Sequence, residues 1–383
     1  MNPFYANMPT TIFEATSARA QATGAINLGQ GFPDAQGPRD VLQAASDALF
    51  NESNQYPPMS GVPGLRAAVA AHYAAHQGLD LSPEEVIVTS GATEALAASI
   101  LALVRPGDEV VLLQPMYDSY LPMVRQAGGI PRLVNLQAPD WQVSDAMLAE
   151  VFSAKTALIL LNTPHNPTGS MLNAQSLGVI ADYCRRFDCV ALCDEVWEHV
   201  VFDGTAHLPL LALPGMRERC VKIGSAGKIF ALTGWKVGWV CACPALSQAI
   251  ARAHQFLTFT TAPNLQHAVT YGLGKPAASF TAMRVDLQQS RDRLRGALEA
   301  AGYVVAPSTG TYFMSIDLAG SGLAVNDMRF CDETLVDGVA AIPVSAFYAE
   351  AASFNHVRLC FAKSDATLDA AAERLATTRV RLS

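Results

Sequence analysis

The sequence predicts an α/β fold in which a mainly parallel sheet is covered by helices on both faces, with a smaller α+β domain beside it. Three observations predict this. Short β-rich runs alternate with longer helical stretches through the middle of the chain. The strand-like runs are continuously apolar, as in TALILLNTP (156–164), which is typical of strands buried on both faces. After about residue 276 a long polar helix replaces this alternation.

The alternating region consists of strand–helix units in chain order. EVIVTS (85–90) precedes the helical GATEALAASILALV, EVVLLQP (109–115) precedes YDSYLPMVRQAG, and TALILLNTP precedes NAQSLGVIADYCRRF. Further strands are predicted at CVALCDEV (189–196), CVKIGSAG (220–227) and KVGWVCACP (236–244). This succession favours a single, mainly parallel sheet.

The two ends of the chain have a different pattern. Residues up to about 45 are rich in turns, and the helix MRVDLQQSRDRLRGALEAAG is followed by the strand-like TYFMSID, AAIPVS and HVRLCFAK and by a last helix. We therefore predict an N-terminal segment (1–45) that packs with a small C-terminal α+β domain (276–383), and a large α/β domain between them (46–275).

Composition excludes several classes of protein. The chain has 383 residues, of which 50% are hydrophobic, and 26 basic against 34 acidic residues give a net charge of −8. A chain-wide basic field for nucleic acid is therefore not expected. No apolar run approaches the roughly 20 residues of a membrane span, and MNPFYANMPTTIF is not typical of an export signal. The eight cysteines form no CxxC pair, which favours reduced, packed thiols in a cytoplasmic protein.

Some familiar motifs are incomplete. GQGFPD (29–34) lacks the third glycine of a dinucleotide-binding turn, and GSAGKI (224–229) lacks the upstream glycine and the Ser/Thr of a P-loop. His72 and His76 share a helix face, but HYAAH lacks the glutamate of a zinc-protease helix. We expect a solvated or partly packed histidine pair there, and no metal site.

Polar residues follow the predicted strands where those strands end. Because ligands of open α/β sheets bind beyond the carboxyl ends of the strands, these residues are the candidate site. They supply a helix N-terminus, an aromatic ring, an amide, a carboxylate and an amine, in the segments Ser90–Thr93, Pro115–Tyr117, Asn162–Pro167, Asp194–Trp197 and Ser225–Lys228. That set suits a phosphorylated, aromatic, carbonyl-bearing cofactor, and pyridoxal 5′-phosphate has all three features.

Each candidate on the first strands also has a structural alternative. The start of the helix after Ser90 suits a phosphate, but Ser90 or Thr93 also suits an ordinary N-cap. Tyr117 either stacks on a ring or belongs to the core. Asn166 either donates to a ring hydroxyl or only forms a turn with Pro167.

The charged candidates need partners. Asp194 ends a very apolar strand, so it requires a pyridinium N–H or a structural arginine, whereas Glu195 should point to the opposite face. Lys228 is either a surface lysine or, in a pocket, a nucleophile with a lowered pKa. Arg358, in the apolar HVRLCF, requires a substrate carboxylate or a structural salt bridge. Lys236 and Ser225 would add a cation and a hydroxyl to a phosphate site.

Taken together, these segments resemble the class I aminotransferases of the fold-type I pyridoxal-phosphate family. The likeness runs from TTIF at 10–13 to the last helix, and the subgroup of bacterial methionine aminotransferases and of kynurenine and glutamine-K aminotransferases is the most similar. It is carried, in order, by INLGQGFPD (26–34), NQYPPMSGVPGLR (54–66), TSGATEAL (89–96), LNTPHNPTG (161–169), DEVW (194–197), SAGKIFALTGWKVGW (225–239) and VRLCFAK (357–363).

The resemblance implies a seven-stranded, fold-type I architecture and a role for each matching residue. Lys228 would hold the cofactor covalently and act as the catalytic base, and Asp194 would pair with the pyridine nitrogen. Asn166 and Tyr117 would contact the ring, and Arg358 with the backbone of Gly31 would bind the substrate carboxylate. The remaining implied contacts are the phosphate-binding Ala92, Thr93, Ser225 and Lys236, Tyr56 reaching the phosphate of a second copy, and the side-chain pocket of Phe13, Phe259 and Thr260.

Two positions depart from the family pattern. Trp197 stands where the family usually has a tyrosine bonded to the ring oxygen, and an indole N–H donates but cannot accept. Lys236 stands where many relatives carry arginine, so the charge is kept without the fork geometry.

The implied activity is ping-pong transamination between an L-amino acid with a large uncharged side chain (methionine, an aromatic residue or glutamine) and a 2-oxo acid, by a homodimer with shared active sites. One alternative is a cysteine-S-conjugate β-lyase on the same scaffold. A non-catalytic regulatory protein is disfavoured, because such relatives carry an added winged-helix segment that we do not expect before residue 26, and because Lys228 is present.

Overall fold

A computed structural model describes residues 1, 3–6, 8–350 and 353–383. The strands are β1 (Ile26–Asn27), β2 (Val86–Ser90), β3 (Glu109–Gln114), β4 (Ile130–Asn135), β5 (Thr156–Asn162), β6 (Val190–Asp194), β7 (Cys220–Ser225), β8 (Val237–Cys241), β9 (Val304–Val305), β10 (Phe313–Asp317), β11 (Val339–Ala340), β12 (Ile342–Pro343) and β13 (His356–Cys360).

The helices alternate with these strands in the large domain and frame them elsewhere. They are α1 (Pro3–Ala6), α2 (Ile12–Thr23), α3 (Arg39–Asn51), α4 (Pro63–Gln77), α5 (Gly91–Leu103), α6 (Tyr120–Gln126), α7 (Asp145–Ala149), α8 (Ala174–Phe187), α9 (Ala226–Ile229), α10 (Pro244–Leu257), α11 (Pro263–Leu273), α12 (Ala277–Ala300), α13 (Asp327–Val336) and α14 (Asp365–Leu382). Within the described residues, no helix is both long and apolar enough to cross a membrane.

The predicted mainly parallel sheet is confirmed. It has seven strands in the order β2-β8-β7-β6-β5-β3-β4, and β8 runs antiparallel to both of its neighbours. The strands β3 and β7 are buried along their whole length, in agreement with their continuous apolar sequence. Two apolar cores cover the two faces of the sheet, one containing Leu192 and the other containing Cys193.

One strand of this sheet has no counterpart in the segments predicted from the pattern. β4 lies at the edge beside β3, and its first residue Ile130 is exposed. Its sequence, IPRLVN, contains a proline and an arginine, which are typical of an edge strand and weaken the strand signal.

A second sheet forms from the C-terminal part of the chain. Its order is β12-β13-β10-β9, and all of its pairings are antiparallel. The N-terminal segment joins this part through β1, which pairs in parallel with β11. The predicted boundary at residue 45 falls inside α3, which packs against α11, and the division into domains stays a prediction.

The sheet brings the predicted polar segments to one edge. Asn162 at the end of β5 is in register with Asp194 at the end of β6, and β7 ends beside them at Ser225. The N-terminus of α5 follows β2, whose partner β8 lies next to β7. All eight cysteines are buried and free, as predicted.

Candidate active site

A cavity of about 180 Å³ opens at the carboxyl ends of β5, β6 and β7. It brings together predicted residues from five separate segments of the chain. They are Ala92, Thr93, Tyr117, Asn166, Asp194, Trp197, Ser225, Lys228 and Lys236. Ligands of open α/β sheets bind at this edge, so the position of the cavity agrees with the expectation from topology.

Asp194 is a buried carboxylate in this cavity that forms no salt bridge with another described residue, although the charge of Lys228 lies near enough to lower its pKa. Its Oδ2 accepts a hydrogen bond of 2.6 Å from the hydroxyl of Tyr120, and its Oδ1 accepts one of 3.4 Å from the backbone N–H of Val196. Burial raises the pKa of Asp194, and these hydrogen bonds offset the rise only in part. The alternative of a structural arginine is therefore not realised, and a protonated ring nitrogen would supply the missing partner.

Lys228 projects into the same cavity from the short helix α9. Burial lowers the pKa of its amine to about 8, because the charged form loses solvation. Its Nζ lies 4.7 Å from the centre of the Trp197 ring. An amine with this pKa is available in its neutral, nucleophilic form at mildly alkaline pH.

The N-terminus of α5 forms a small cradle with β8. Gly91 has a φ of +72°, and a Cβ at Gly238 would meet the backbone N of Ala92 at 2.8 Å, so this close approach of strand and helix requires glycine. Lys236 reaches into the cradle and donates a hydrogen bond of 3.3 Å to Thr93 Oγ1. Together with the buried Ser225, this cradle offers a cation, hydroxyls and free backbone N–H groups to a phosphate.

Arg358 is fully buried, yet no carboxylate pairs with it among the described residues. It donates to Asn166 Oδ1 over 2.7 Å and to the carbonyl oxygen of Gly29 over 2.5 Å, while its Nε has no partner. Burial lowers the pKa of Arg358 to about 10. The structural salt bridge considered above is therefore absent from the described chain, and the guanidinium is free to bind an incoming carboxylate.

Aromatic rings surround this arginine. The rings of Phe13, Phe313 and Phe347 lie 5.2, 4.0 and 5.1 Å from the guanidinium carbon. Phe13 also lies 6.4 Å from the ring of Tyr117 at the cavity wall. Phe13, which was predicted for the side-chain pocket, therefore lies between Arg358 and Tyr117, and its role stays a prediction.

Tyr56, Phe259 and Thr260 form a separate group outside this cavity. Tyr56 is 83% exposed, and its ring contacts that of Phe259 at 5.7 Å. Thr260 follows Phe259 in the same loop. One chain alone therefore does not bring these residues to Lys228.

Trp197 is buried with its ring edge-on to Tyr312, the centroids being 4.3 Å apart. The larger side chain that replaces the expected tyrosine is accommodated at the cavity wall. Its indole N–H meets no acceptor in the described part of the chain, so it is available to a bound group.

Sequence reasoning missed Tyr120 and Tyr312 in this region, and it named Asn162 only as part of the strand-end segment 162–167. Tyr120 donates to Asp194, Asn162 Oδ1 accepts from the backbone N–H of Asn166 over 2.8 Å, and Tyr312 lies 3.4 Å from Lys228 Nζ. Tyr120 lies in the segment YDSY and Asn162 ends β5, so both carried the same strand-end signal as the predicted residues. Tyr312 is 84 residues from Lys228 and carried no such signal.

The histidine pair at positions 72 and 76 is partly packed, as predicted, since His76 is exposed. His72 is buried, and its Nε2 lies 2.9 Å from Nε2 of His199. Nearby, Glu195, Glu198 and His207 have ligand atoms within 4.8 Å of one another. Lys222 already donates to both of these carboxylates, so the cation of this cluster is the lysine itself.

Comparison with known proteins decides the family. The profile described as "Aminotransferase class I and II" matches residues 23–375. The methionine aminotransferase of Escherichia coli (strain K12) is 40% identical over 368 residues, which cover 96% of this chain and 95% of that protein. The chain belongs to the class I and II aminotransferases.

Other aminotransferases are similar over nearly the same length. A probable N-succinyldiaminopimelate aminotransferase of Mycobacterium tuberculosis is 44% identical, with 97% of each chain covered. Kynurenine–oxoglutarate transaminase 3 of Mus musculus is 38% identical, with 91% of this chain and 83% of that protein covered. A solved N-succinyldiaminopimelate aminotransferase from Mycobacterium tuberculosis superposes with a TM-score of 0.95 at 42% identity, covering 99% of this chain and 100% of that one.

The chain is accordingly an aminotransferase that depends on pyridoxal 5′-phosphate. The cavity agrees with this cofactor on three independent points. Asp194 is buried without a salt bridge in the described chain, and Lys228 has a lowered pKa. The start of α5 forms a cradle that requires glycine, and Lys236 lies beside it. These features match the ring nitrogen, the aldehyde and the phosphate respectively.

Proposed function

We propose that this aminotransferase acts by a ping-pong mechanism on L-amino acids with a large uncharged side chain, namely methionine, an aromatic residue or glutamine, with a 2-oxo acid as the acceptor. The observation that carries the proposal is the fully buried, carboxylate-free Arg358 among aromatic rings. It suits a substrate that has one carboxylate and an apolar or neutral remainder.

The catalytic roles follow from the atoms that face the cavity. Lys228 would hold the cofactor through its ε-amine, and as a free amine it would serve as the general base that takes up and returns the α-proton of the substrate. Asp194 would hold the proton on the ring nitrogen, and Tyr120 fixes its carboxylate by a hydrogen bond. The cofactor supplies an electron sink for the carbanion formed at the α-carbon.

The remaining cavity residues would bind and orient the cofactor and the substrate. Asn166 Nδ2 would donate to the ring oxygen while its Oδ1 accepts from Arg358, so one side chain joins the ring site to the carboxylate site. Tyr117 would stack on the ring, and Trp197 would donate its N–H to the ring oxygen in place of a phenol. Ala92, Thr93, Ser225 and Lys236 would hold the phosphate.

The charges around the cavity support a neutral substrate side chain. Lys228 and Lys236 are the cations that line it within the described residues, and both are assigned to the cofactor. The half-buried Asp118 stands beside Tyr117, and burial raises the pKa of its carboxyl. Among the described residues that line the cavity, no cation is then left for a second substrate carboxylate.

We also propose that the active unit is a homodimer with shared sites. Tyr56 and Phe256 are 83% and 85% exposed, and Leu257 and Phe259 beside them are partly exposed. Such an aromatic surface suits a partner, and a second copy seated on it would receive Tyr56 at its phosphate and Phe259 and Thr260 at its side-chain pocket. Dimerisation would bring these three residues into an active site.

The test is a panel of amino donors and oxo-acid acceptors on purified protein. Methionine, phenylalanine, kynurenine and glutamine are expected to give higher kcat/KM than aspartate or N-succinyl-L,L-diaminopimelate. A preference for either of the latter would contradict the proposal. Measured in the same panel, pyruvate and ammonia report on the β-lyase alternative, which the similar proteins do not support.

A further inference from the structure

The hydroxyl of Tyr312 lies 3.4 Å from Lys228 Nζ, within hydrogen-bonding distance. It is the uncharged hydrogen-bond partner of this amine in the part of the chain that the structure describes. Tyr312 is 2% exposed, so its side chain is held by the packing around it. The contact is thus a fixed feature of the site.

The direction of this hydrogen bond is set by a second one. Tyr312 donates its own proton to the carbonyl oxygen of Gly31 over 2.5 Å. Because a hydroxyl has one proton, the oxygen of Tyr312 acts as an acceptor toward Lys228. Lys228 therefore donates a hydrogen bond to Tyr312, which in turn donates one to Gly31.

An apolar cavity lies behind this pair. It measures about 360 Å³, and Lys228 and Tyr312 form part of its wall. Most of its other lining residues are apolar: Pro33, Ala35, Pro38, Ile229, Phe230, Ala231, Phe280, Met283 and Leu287. Lys275, Ser279 and Asp286 also line this cavity, but no hydrogen bond joins any of them to Lys228 in the described structure.

We propose that Tyr312 is a positioning residue that holds the free ε-amine of Lys228 after substrate has displaced it from the cofactor. The inference rests on the proposed function of Lys228. Since the phenol is also bonded to Gly31, and Arg358 donates to Gly29, the amine is aligned with the segment that meets the substrate carboxylate.

The contact has a predictable effect on the proton affinity of Lys228. The charged or titratable groups that face the amine are Asp194, Lys236, Arg358, Cys360 and Tyr312. An acceptor oxygen favours the ammonium form, because the ammonium is the stronger donor. Removing the phenol oxygen should therefore lower the pKa of Lys228 below its value of about 8.

The experiment compares Tyr312→Phe with the matched variant Tyr303→Phe. Both tyrosines are buried and donate to a backbone carbonyl, Tyr303 to that of Leu375, but only Tyr312 contacts Lys228. Apoprotein is mixed with pyridoxal 5′-phosphate over a range of pH, and the rate of formation of the visible chromophore reports the protonation of Lys228.

The midpoint of this profile is expected to fall by about one pH unit in Tyr312→Phe and to stay at the wild-type value in Tyr303→Phe. In the loaded enzyme, kcat should fall about tenfold in Tyr312→Phe while KM changes by less than about twofold, since substrate binding is retained. Unchanged profiles and kcat, or equal shifts in both variants, would overturn the role of Tyr312. A wild-type protein that forms no chromophore would overturn the proposed function as well.

A second variant tests the proposal in case Tyr312→Phe does not fold. Incorporation of 3-fluorotyrosine at position 312 keeps the packing and the hydroxyl but makes its oxygen a weaker acceptor. The midpoint should then fall by a smaller amount than in Tyr312→Phe. A midpoint at the wild-type value in the fluorinated protein would contradict the proposal.

Discussion

Lys222 and Lys228 are six positions apart in one strand–helix unit, yet they lie on opposite faces of the large sheet in contrasting surroundings. Lys222 has a fully buried side chain whose Nζ donates to Glu195 and Glu198. Although burial alone would lower its pKa, these carboxylates raise it. Lys228 forms no salt bridge in the described chain. Burial lowers its pKa to about 8, although the charge of Asp194 acts in the opposite direction.

The adjacent carboxylates Asp194 and Glu195 show the same contrast. Burial raises the pKa of Asp194, which faces the cofactor cavity. Burial acts in the same direction on Glu195, but Lys222 and His207 outweigh it and hold the pKa of Glu195 below its usual range. Consecutive strand residues point to opposite faces, so two neighbours in sequence serve different purposes.

The difference shows how one element combines stability with chemistry. On the Lys222 face every charge has a partner of opposite sign, and Tyr73 and Gln77 supply further hydrogen bonds to Glu198. On the cavity face Asp194 and Lys228 attract each other, but they form no salt bridge in the described chain. Buried groups without partners cost stability, so the cavity face depends on the cofactor for compensation.

The largest effect is expected from Lys228→Ala. Turnover should fall by at least about 1,000-fold, because general-base catalysis alone contributes about 10²–10⁴-fold and the covalent anchor is lost as well. Steady-state assays and borohydride trapping of the cofactor measure this. Lys155→Ala removes an exposed lysine and serves as the control. Near-normal turnover in Lys228→Ala would refute the assignment of this lysine.

Lys222→Met should act on stability instead. It leaves two buried carboxylates without their cation, which typically costs about 3–5 kcal/mol. Urea unfolding measures the loss, and Arg295→Met is the control because it breaks an exposed pair with Glu299 worth less than about 1 kcal/mol. A loss no larger than that of the control would mean that the buried network contributes little.

Removing the cofactor should destabilise the cavity face. A ligand present at about 100 times its Kd stabilises the folded protein by about 2.7 kcal/mol, so apoprotein should melt below the loaded protein. The melting difference should be similar in wild type and in Lys222→Met, since that network lies on the other face. If the apoprotein and the loaded protein have the same melting temperature, the cofactor does not compensate the charges of Asp194 and Lys228.

Much of this site was predictable because charged or polar residues stand at the ends of apolar strands. Asp194, Asn166 and Lys228 carried that signal, and Arg358 interrupts an apolar run in the same way. The mainly parallel sheet followed from the alternation of apolar strands and helices. These predictions depend on local pattern and on the general geometry of open sheets.

The remaining features depend on contacts between distant segments. Lys222 interrupts an apolar strand just as Arg358 does, but its partner Glu198 comes from the turn after β6. Tyr312 reaches Lys228 from the start of β10, which no local pattern in either segment indicates. The edge strand β4 is half-exposed and therefore lacks the continuous apolar run of its neighbours.

The smallest predicted effect is the acid dependence of the Lys222 face. Burial alone would raise the pKa of Glu198, but Lys222 lowers it from 4.5 to about 2. In wild type the folded state therefore binds fewer protons than the unfolded state between about pH 4.5 and pH 2, and this contribution to stability, fully present above pH 4.5, is lost as the pH falls through that range.

Without Lys222 the pKa of Glu198 should rise, because burial raises it and the largest of the lowering charges is removed, while His199 and His207 still lower it. Protonation then relieves the cost of burying the carboxylate, so acid stabilises Lys222→Met relative to wild type. The gap in unfolding free energy between the two proteins should narrow by about 1 kcal/mol from pH 7 to pH 4.5. Urea midpoints at intervals of half a pH unit measure this. The difference in unfolding free energy between Arg295→Met and wild type should stay constant over the same range. A gap that is also constant for Lys222→Met would show that Lys222 does not set the proton affinity of Glu198.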